Sequence, residues 1–147
     1  MPNERTWLGF DFGPKKIGVA LANSVMHQAN PLTVLPAVQQ KPDWSGITTL
    51  LSTWKPNALI VGLPCNMDGT PHQMTAAAQR FSRQLNGRFN LPVHLQDERL
   101  TSKEATVQWR ERQRQHPSRK KPGTDALAAS LILQSWLDHP QEEGTLP

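Results

Sequence analysis

The chain contains 147 residues, which is the size of one domain with a single hydrophobic core. Its longest apolar runs are far shorter than the ~20 residues of a spanning helix, so the composition excludes a helical membrane protein. The single Cys65 excludes an internal disulfide and a cysteine-based zinc cluster and, with no apolar signal segment at the start, predicts a cytoplasmic protein.

The first part of the chain predicts three strands. Two short apolar runs, 7–12 and 17–21, flank the turn-forming segment 13–16, and this arrangement is typical of a β-hairpin. Alternation along the first run predicts that Leu8, Phe10 and Phe12 face the core, whereas Gly9 and Asp11 share the other face. A third run, 32–38, contains or borders two prolines. Because proline lacks an amide donor, this strand is expected at an edge of the sheet.

In the rest of the chain, segments with apolar residues at helical spacing, which predict helices, alternate with short apolar runs, which predict strands. Trp44, Ile47, Leu51 and Trp54 recur on one helical face, so these four side chains are predicted to face the core. A second helical stripe consists of Met74, Ala78, Phe81 and Leu85. The predicted elements are a helix over 44–54, a strand over 58–62, a helix from Met74 to about Gly87, a strand over 93–96, a helix from Thr101 toward Arg114, a loop over 116–123 and a last helix over 124–137.

This order of elements predicts an α/β fold. A mixed sheet of five strands satisfies the rules for short connections and right-handed crossovers, with its first three strands antiparallel, its last two parallel to the first, and helices on both faces. Residues 1–140 are expected to form this single domain, and 141–147 a flexible C-terminal tail.

Acidic residues stand at the ends of three predicted elements. Asp11 ends the first strand, Asp97 and Glu98 close the last strand, and Asp125 opens the last helix. If the first strand is central, these ends converge. Clustered carboxylates repel one another, and a divalent cation is the usual remedy. Hard oxygen ligands favour Mg²⁺ or Mn²⁺, and the five histidines show no spacing typical of a zinc site.

The positive charge is concentrated in one segment. Residues 99–121 carry eight Lys or Arg and two Glu, a local net charge of +6, while the rest of the chain sums to −2. A basic surface beside an acidic metal site is what a nuclease requires, because the basic groups hold phosphates while the metal ions activate water.

Four segments carry a resemblance to a known family. Residues 11–20 (DFGPKKIGVA), 61–70 (VGLPCNMDGT), 97–101 (DERLT) and the segment beginning at Asp125 (DALAA) resemble, in order, the motifs of the YqgF family, also called RuvX. The resemblance implies an RNase H-like fold and a nuclease that matures the 5′ end of precursor 16S ribosomal RNA, with kinship to Holliday-junction resolvases.

The resemblance also implies which residues act. Asp11, Glu98 and Asp125 match the positions of the family's metal-binding acids, with Asp97 as the alternative to Glu98. These acids are predicted to hold Mg²⁺ or Mn²⁺ and to support hydrolysis by water that leaves a 5′-phosphate.

Four basic residues are predicted to contact the substrate. Lys15 and Lys16 occupy the turn of the first hairpin, where they can bind a phosphate, and Arg99 follows the matched acid. Lys121 lies in the predicted loop before Asp125 and is expected to guide the substrate.

Other functions remain open at this point. A Holliday-junction-type DNA resolvase and a non-catalytic RNA-binding factor for ribosome assembly both fit the same residues. The sequence from Asp11 to Lys16 also resembles the phosphate loop of actin-like ATPases, although those proteins pair two such domains around the nucleotide. The expected partner is nucleic acid, either precursor rRNA or branched DNA, bound by a monomer or weak homodimer.

Overall fold

A computed structural model describes residues 5–39, 41–64, 74–97 and 124–138. Within these ranges the chain forms six strands and three helices. They are β1 (Thr6–Phe12), β2 (Lys16–Asn23), β3 (Asn30–Val38), β4 (Lys41–Pro42), α1 (Trp44–Trp54), β5 (Ala58–Leu63), α2 (Thr75–Phe89), β6 (Val93–Asp97) and α3 (Thr124–Asp138). The predicted helix over 101–114 and loop over 116–123 lie outside the described residues.

The strands form one mixed sheet in the order β4-β3-β2-β1-β5-β6. β1, β2, β3 and β4 pair antiparallel in succession, whereas β5 pairs parallel with β1 and β6 pairs parallel with β5. This arrangement confirms the predicted mixed sheet with β1 near its centre. The predicted number of strands, five, is wrong because β4 consists of two residues, Lys41 and Pro42, that carry no apolar pattern.

One face of the sheet packs against α1 and α2. Alternation along β1 directs Leu8, Phe10 and Phe12 to this face, where they are buried, as predicted. Phe81 of α2 lies between two of them, with its ring 5.7 Å from Phe10 and 4.7 Å from Phe12. The predicted helical stripe of Met74, Ala78, Phe81 and Leu85 is also buried.

The opposite face packs against α3. Its buried side chains include several alanines of the strands, together with apolar residues of the helix; they are Trp7, Ala20, Ala22, Ala29, Ala58, Ile60, Ala129, Ile132, Leu133, Trp136 and Leu137. The predicted placement of helices on both faces is therefore confirmed. No helix within the described ranges is long and apolar enough to cross a membrane.

Two local predictions are wrong. Trp54 is 39% exposed, because it is the last residue of α1 and the chain leaves the helix at Lys55 in a left-handed conformation. α2 continues past Gly87 to Phe89, and the left-handed Asn90 ends it by donating its backbone N–H to the Asn86 carbonyl at 2.9 Å. An interior glycine weakens a helix without ending it.

Candidate functional site

Asp11 lies near the carboxyl end of the central strand β1. It pairs with Gly18 of β2 and is half-buried. Because side chains alternate along a strand, Asp11 belongs to the same face as Gly9, which is the face covered by α3, whereas Phe10 and Phe12 point into the opposite core. The strand therefore separates the carboxylate from the large aromatic side chains that surround it in sequence.

Gly9 permits a close approach of α3 to β1. A Cβ atom on Gly9 would lie 2.8 Å from the Leu133 Cβ and 3.2 Å from the Ala129 carbonyl oxygen, so no larger residue fits without moving the helix. Three residues after Leu133, near the end of α3, the Trp136 ring lies 5.7 Å from the Trp7 ring. The helix thus runs antiparallel to β1.

This direction fixes where α3 begins. Trp136 lies over Trp7 and Ala129 over Gly9, so the next helical turn toward the amino end lies toward Asp11. Asp125 occupies that turn, four residues before Ala129. The backbone of α3 therefore brings the first turn of the helix, with position 125, to the edge of the sheet at which Asp11 stands.

β6 presents a polar face to the same helix. The His94 ring stacks on Trp136 with 5.2 Å between centroids, and the Gln96 side-chain amide donates to the Ser135 hydroxyl at 3.2 Å. Val93 and Leu95 pack in the opposite core. By this alternation Asp97, the last residue of β6 and the partner of Leu63, belongs to the face of α1 and α2.

The hairpin lysines lie at the same edge of the sheet. Lys15 and Lys16 are exposed. The turn that carries them is held at both sides: the Gly13 N–H donates to the Lys16 carbonyl at 2.9 Å, and the Ala37 N–H of β3 donates to the Lys15 carbonyl at 2.8 Å. These two backbone bonds hold the lysines at a defined position beside the end of β1.

The described structure thus brings part of the predicted site together. Asp11, the first turn of α3 and the two hairpin lysines share one edge of the sheet, while Glu98, Arg99 and Lys121 lie outside the described residues. Among the described residues there is no group of three His, Cys, Asp or Glu side chains suited to a metal ion. Because Glu98 lies outside the described residues, the predicted trio of acids stays a prediction.

The sequence reasoning missed the role of Gly9. Strand alternation predicts only that Gly9 shares a face with Asp11, whereas in the structure Gly9 is the contact that brings α3 toward β1. The available signal was the pairing of a glycine in a central strand with a helix that contains Ala128 and Ala129, since small residues on both elements allow backbones to approach closely.

Comparison with known sequences supports the family resemblance. The model of the family described as "RuvX: Holliday junction resolvase" matches residues 5–139. A protein of Pseudomonas putida named "Putative pre-16S rRNA nuclease" is 50% identical over 138 residues, which cover 94% of this chain and 98% of that protein. A protein of Azotobacter vinelandii with the same name is 49% identical over 137 residues, covering 93% and 96%.

Comparison with solved structures supports the fold. RuvC of Thermus thermophilus in complex with a Holliday junction substrate aligns with a TM-score of 0.58 at 16% identity, covering 92% of this chain and 96% of that one. The fowlpox virus resolvase, solved with Holliday junction DNA, aligns with a TM-score of 0.54 at 13% identity, covering 90% and 97%. The predicted RNase H-like fold is therefore confirmed as that of the RuvC-type resolvases.

Proposed function

The chain belongs to the RuvX family, and on this premise we propose that it is a nuclease that hydrolyses phosphodiester bonds in the maturation of precursor 16S rRNA. Two relatives named as pre-16S rRNA nucleases support the proposal. They are about 50% identical to this chain, and the alignments cover nearly their whole length. The observation that carries it within this chain is the approach of α3 over Gly9, which brings position 125 toward Asp11 at the end of β1.

We infer that Asp11, Glu98 and Asp125 hold Mg²⁺ or Mn²⁺. The donor set fits these ions, because carboxylate oxygens are the ligands that both prefer. Bound there, a divalent cation would supply charge stabilisation and a more acidic water. The alternation along β6 favours Glu98 over Asp97, since it places Asp97 on the face of α1 and α2, opposite the α3 face on which His94 and Gln96 lie.

The basic residues have a separate role in this proposal. Lys15 and Lys16 bind the phosphates next to the scissile bond, and the backbone bonds that hold their turn reduce the cost of ordering them. Arg99 and Lys121 extend the positive surface from the segment whose net charge is +6. Their contribution is to orient the backbone and to stabilise negative charge that develops at phosphorus.

Asp11→Asn tests the site directly. The purified protein should cleave a precursor 16S rRNA fragment with Mg²⁺ or Mn²⁺, and EDTA should abolish the cleavage. Asp11→Asn should lower the rate by a factor of about 10³ or more, because it removes a charged ligand while keeping the shape of the side chain. The rate is measured by gel separation of 5′-labelled RNA under single-turnover conditions.

Asp43→Asn is the matched control. Asp43 caps α1, where its side chain accepts from the Gly46 N–H at 3.1 Å, and asparagine caps a helix equally well. This variant should cleave at the wild-type rate. Equal cleavage by wild type and Asp11→Asn would show that the activity comes from a contaminating nuclease and would overturn the proposal.

A second candidate function is resolution of branched DNA. The specific observation in its favour is the fold match to two resolvases solved with Holliday junction DNA. A four-way DNA junction assayed beside the RNA separates the two: faster cleavage of the junction would assign a resolvase. Tight binding of RNA without cleavage in either metal would instead assign the non-catalytic assembly factor.

A further inference from the structure

The register of the first hairpin relates Lys16 to Asp11. Asp11 pairs with Gly18, and paired residues of neighbouring strands point to the same face of a sheet. Lys16 lies two residues from Gly18 along β2, so it belongs to that face as well. The residue between them, Ile17, is fully buried in the opposite core, which confirms the alternation.

The same reasoning continues across the next two strands. Lys16 pairs with Pro36 of β3, Val38 follows two residues later, and Val38 pairs with Lys41 of β4. Ala37, which lies between Pro36 and Val38, is buried in the core of α1 and α2. Lys16, Val38 and Lys41 therefore lie on the face of the sheet that carries Asp11, and we call these three residues the lysine lane.

The lane is accessible. Lys16 and Lys41 are exposed, and Val38 is 69% exposed, so an apolar side chain stands in water between two ammonium groups. The nearest acid in sequence, Asp43, is occupied as the cap of α1. Strands are about 4.8 Å apart and residues about 3.3 Å apart along them, which separates the Cα atoms of Lys16 and Lys41 by about 12 Å.

We propose that the lysine lane binds the phosphate backbone of a double-stranded arm of the substrate that extends away from Asp11. The inference rests on the proposed function for the identity of the polyanion. Measured along the axis of a duplex, about 12 Å spans three or four phosphates of one strand, so Lys16 and Lys41 contact separate phosphates. A rigid duplex can meet two cations fixed on a sheet at that spacing, and Val38 contacts the sugar surface between them.

Lys41→Gln tests the lane through the salt dependence of binding. A labelled RNA duplex of 20 base pairs is titrated in EDTA, which prevents cleavage, and the dissociation constant is measured by fluorescence anisotropy from 50 to 250 mM NaCl. Loss of one phosphate contact should lower the slope of log K against log salt by about 0.9 and weaken binding about three- to tenfold near 0.1 M.

Lys55→Gln is the matched control. Lys55 is equally exposed but follows α1 and precedes β5, so it lies at the opposite edge of the sheet. It should leave the slope and the affinity unchanged. A slope for Lys41→Gln equal to that of wild type would overturn the proposal.

A single-stranded RNA of the same length decides the kind of arm. If the lane binds a duplex, Lys41→Gln should lose less affinity for the single strand than for the duplex, because a flexible chain can contact Lys16 without needing Lys41. An equal loss on both probes would overturn the duplex assignment. Since binding is read in EDTA, a failure of metal-dependent cleavage leaves this result intact, and the two proposals fail separately.

Discussion

The two faces of the sheet differ in the size of the side chains that cover them. Toward α1 and α2, β1 presents Leu8, Phe10 and Phe12, and its neighbours add further branched side chains. Toward α3, the same strand presents Trp7 at its start and Gly9 at its middle, and the neighbouring strands present mostly alanine together with Ile60. Large residues hold α1 and α2 away from the sheet, whereas small ones let α3 approach the backbone of β1.

This difference separates stability from the placement of the site. The face toward α1 and α2, which we call the large face because its side chains are large, buries the aromatic cluster around Phe81. Burial of these apolar side chains stabilises the fold. The face toward α3 determines how near the start of that helix lies to Asp11, through the contact at Gly9. Substitutions on the first face should therefore change mainly the free energy of unfolding, and those on the second should change activity as well.

The largest expected effect is that of Phe10→Ala on stability. Phe10 is fully buried and contacts Phe81 edge-on, so its truncation should lower the free energy of unfolding by about 3–5 kcal/mol. Urea denaturation should show a lower midpoint at an unchanged m-value. At a temperature where the variant remains folded, its cleavage rate should stay near that of wild type. A loss of activity in the folded variant would contradict the separation of the two faces.

Gly9→Ala should have an intermediate effect on stability and a larger one on activity. The added Cβ meets the Leu133 Cβ at 2.8 Å, and such overpacking costs about 1–3 kcal/mol. Relief of the clash requires α3 to move away from β1, which carries position 125 away from Asp11. The cleavage rate of the folded protein should therefore fall, and both quantities are measured on the same preparation.

Gly87→Ala is the control for this substitution. Gly87 lies in the interior of α2, and nothing lies within 4 Å of a Cβ added there. The same chemical change should therefore raise the free energy of unfolding by up to about 1 kcal/mol through helix propensity. A lower free energy of unfolding for Gly9→Ala and a higher one for Gly87→Ala would establish that the effect at Gly9 comes from its contact with α3. Destabilisation at both positions would contradict that explanation.

The sequence predicted well wherever one period persisted over several residues. The alternation of β1 located both its buried face and Asp11, and the stripe of α2 identified its core residues, because burial imposes the period directly. The resemblance of four motifs added the family and the fold. Periodicity and motifs are both local patterns in the sequence, so they can be recognised without knowing which segments contact each other in the fold.

What could not be predicted depends on contacts between distant segments. β4 has two residues and exists because it pairs with the end of β3, so no periodicity marks it or predicts that Lys41 lies beside Val38. The close approach at Gly9 depends on Ala129 and Leu133, more than a hundred residues away. The choice between Asp97 and Glu98 stays a prediction, because it depends on the position of Glu98, which lies outside the described residues.

Trp54→Ala should have the smallest effect, although helical spacing places Trp54 on the same stripe as Trp44. Trp54 is 39% exposed, so its removal should cost about 1 kcal/mol or less. Trp44 lies at the other end of α1, where its ring contacts Phe81 and Phe89 and the Arg88 guanidinium lies 4.1 Å above it. Because each such contact is worth about 0.5–1.5 kcal/mol, Trp44→Ala should cost about 2 kcal/mol or more. Urea denaturation of the two variants measures the difference between their free energies of unfolding. Equal decreases would mean that both ends of α1 belong to the core between α1, α2 and the sheet.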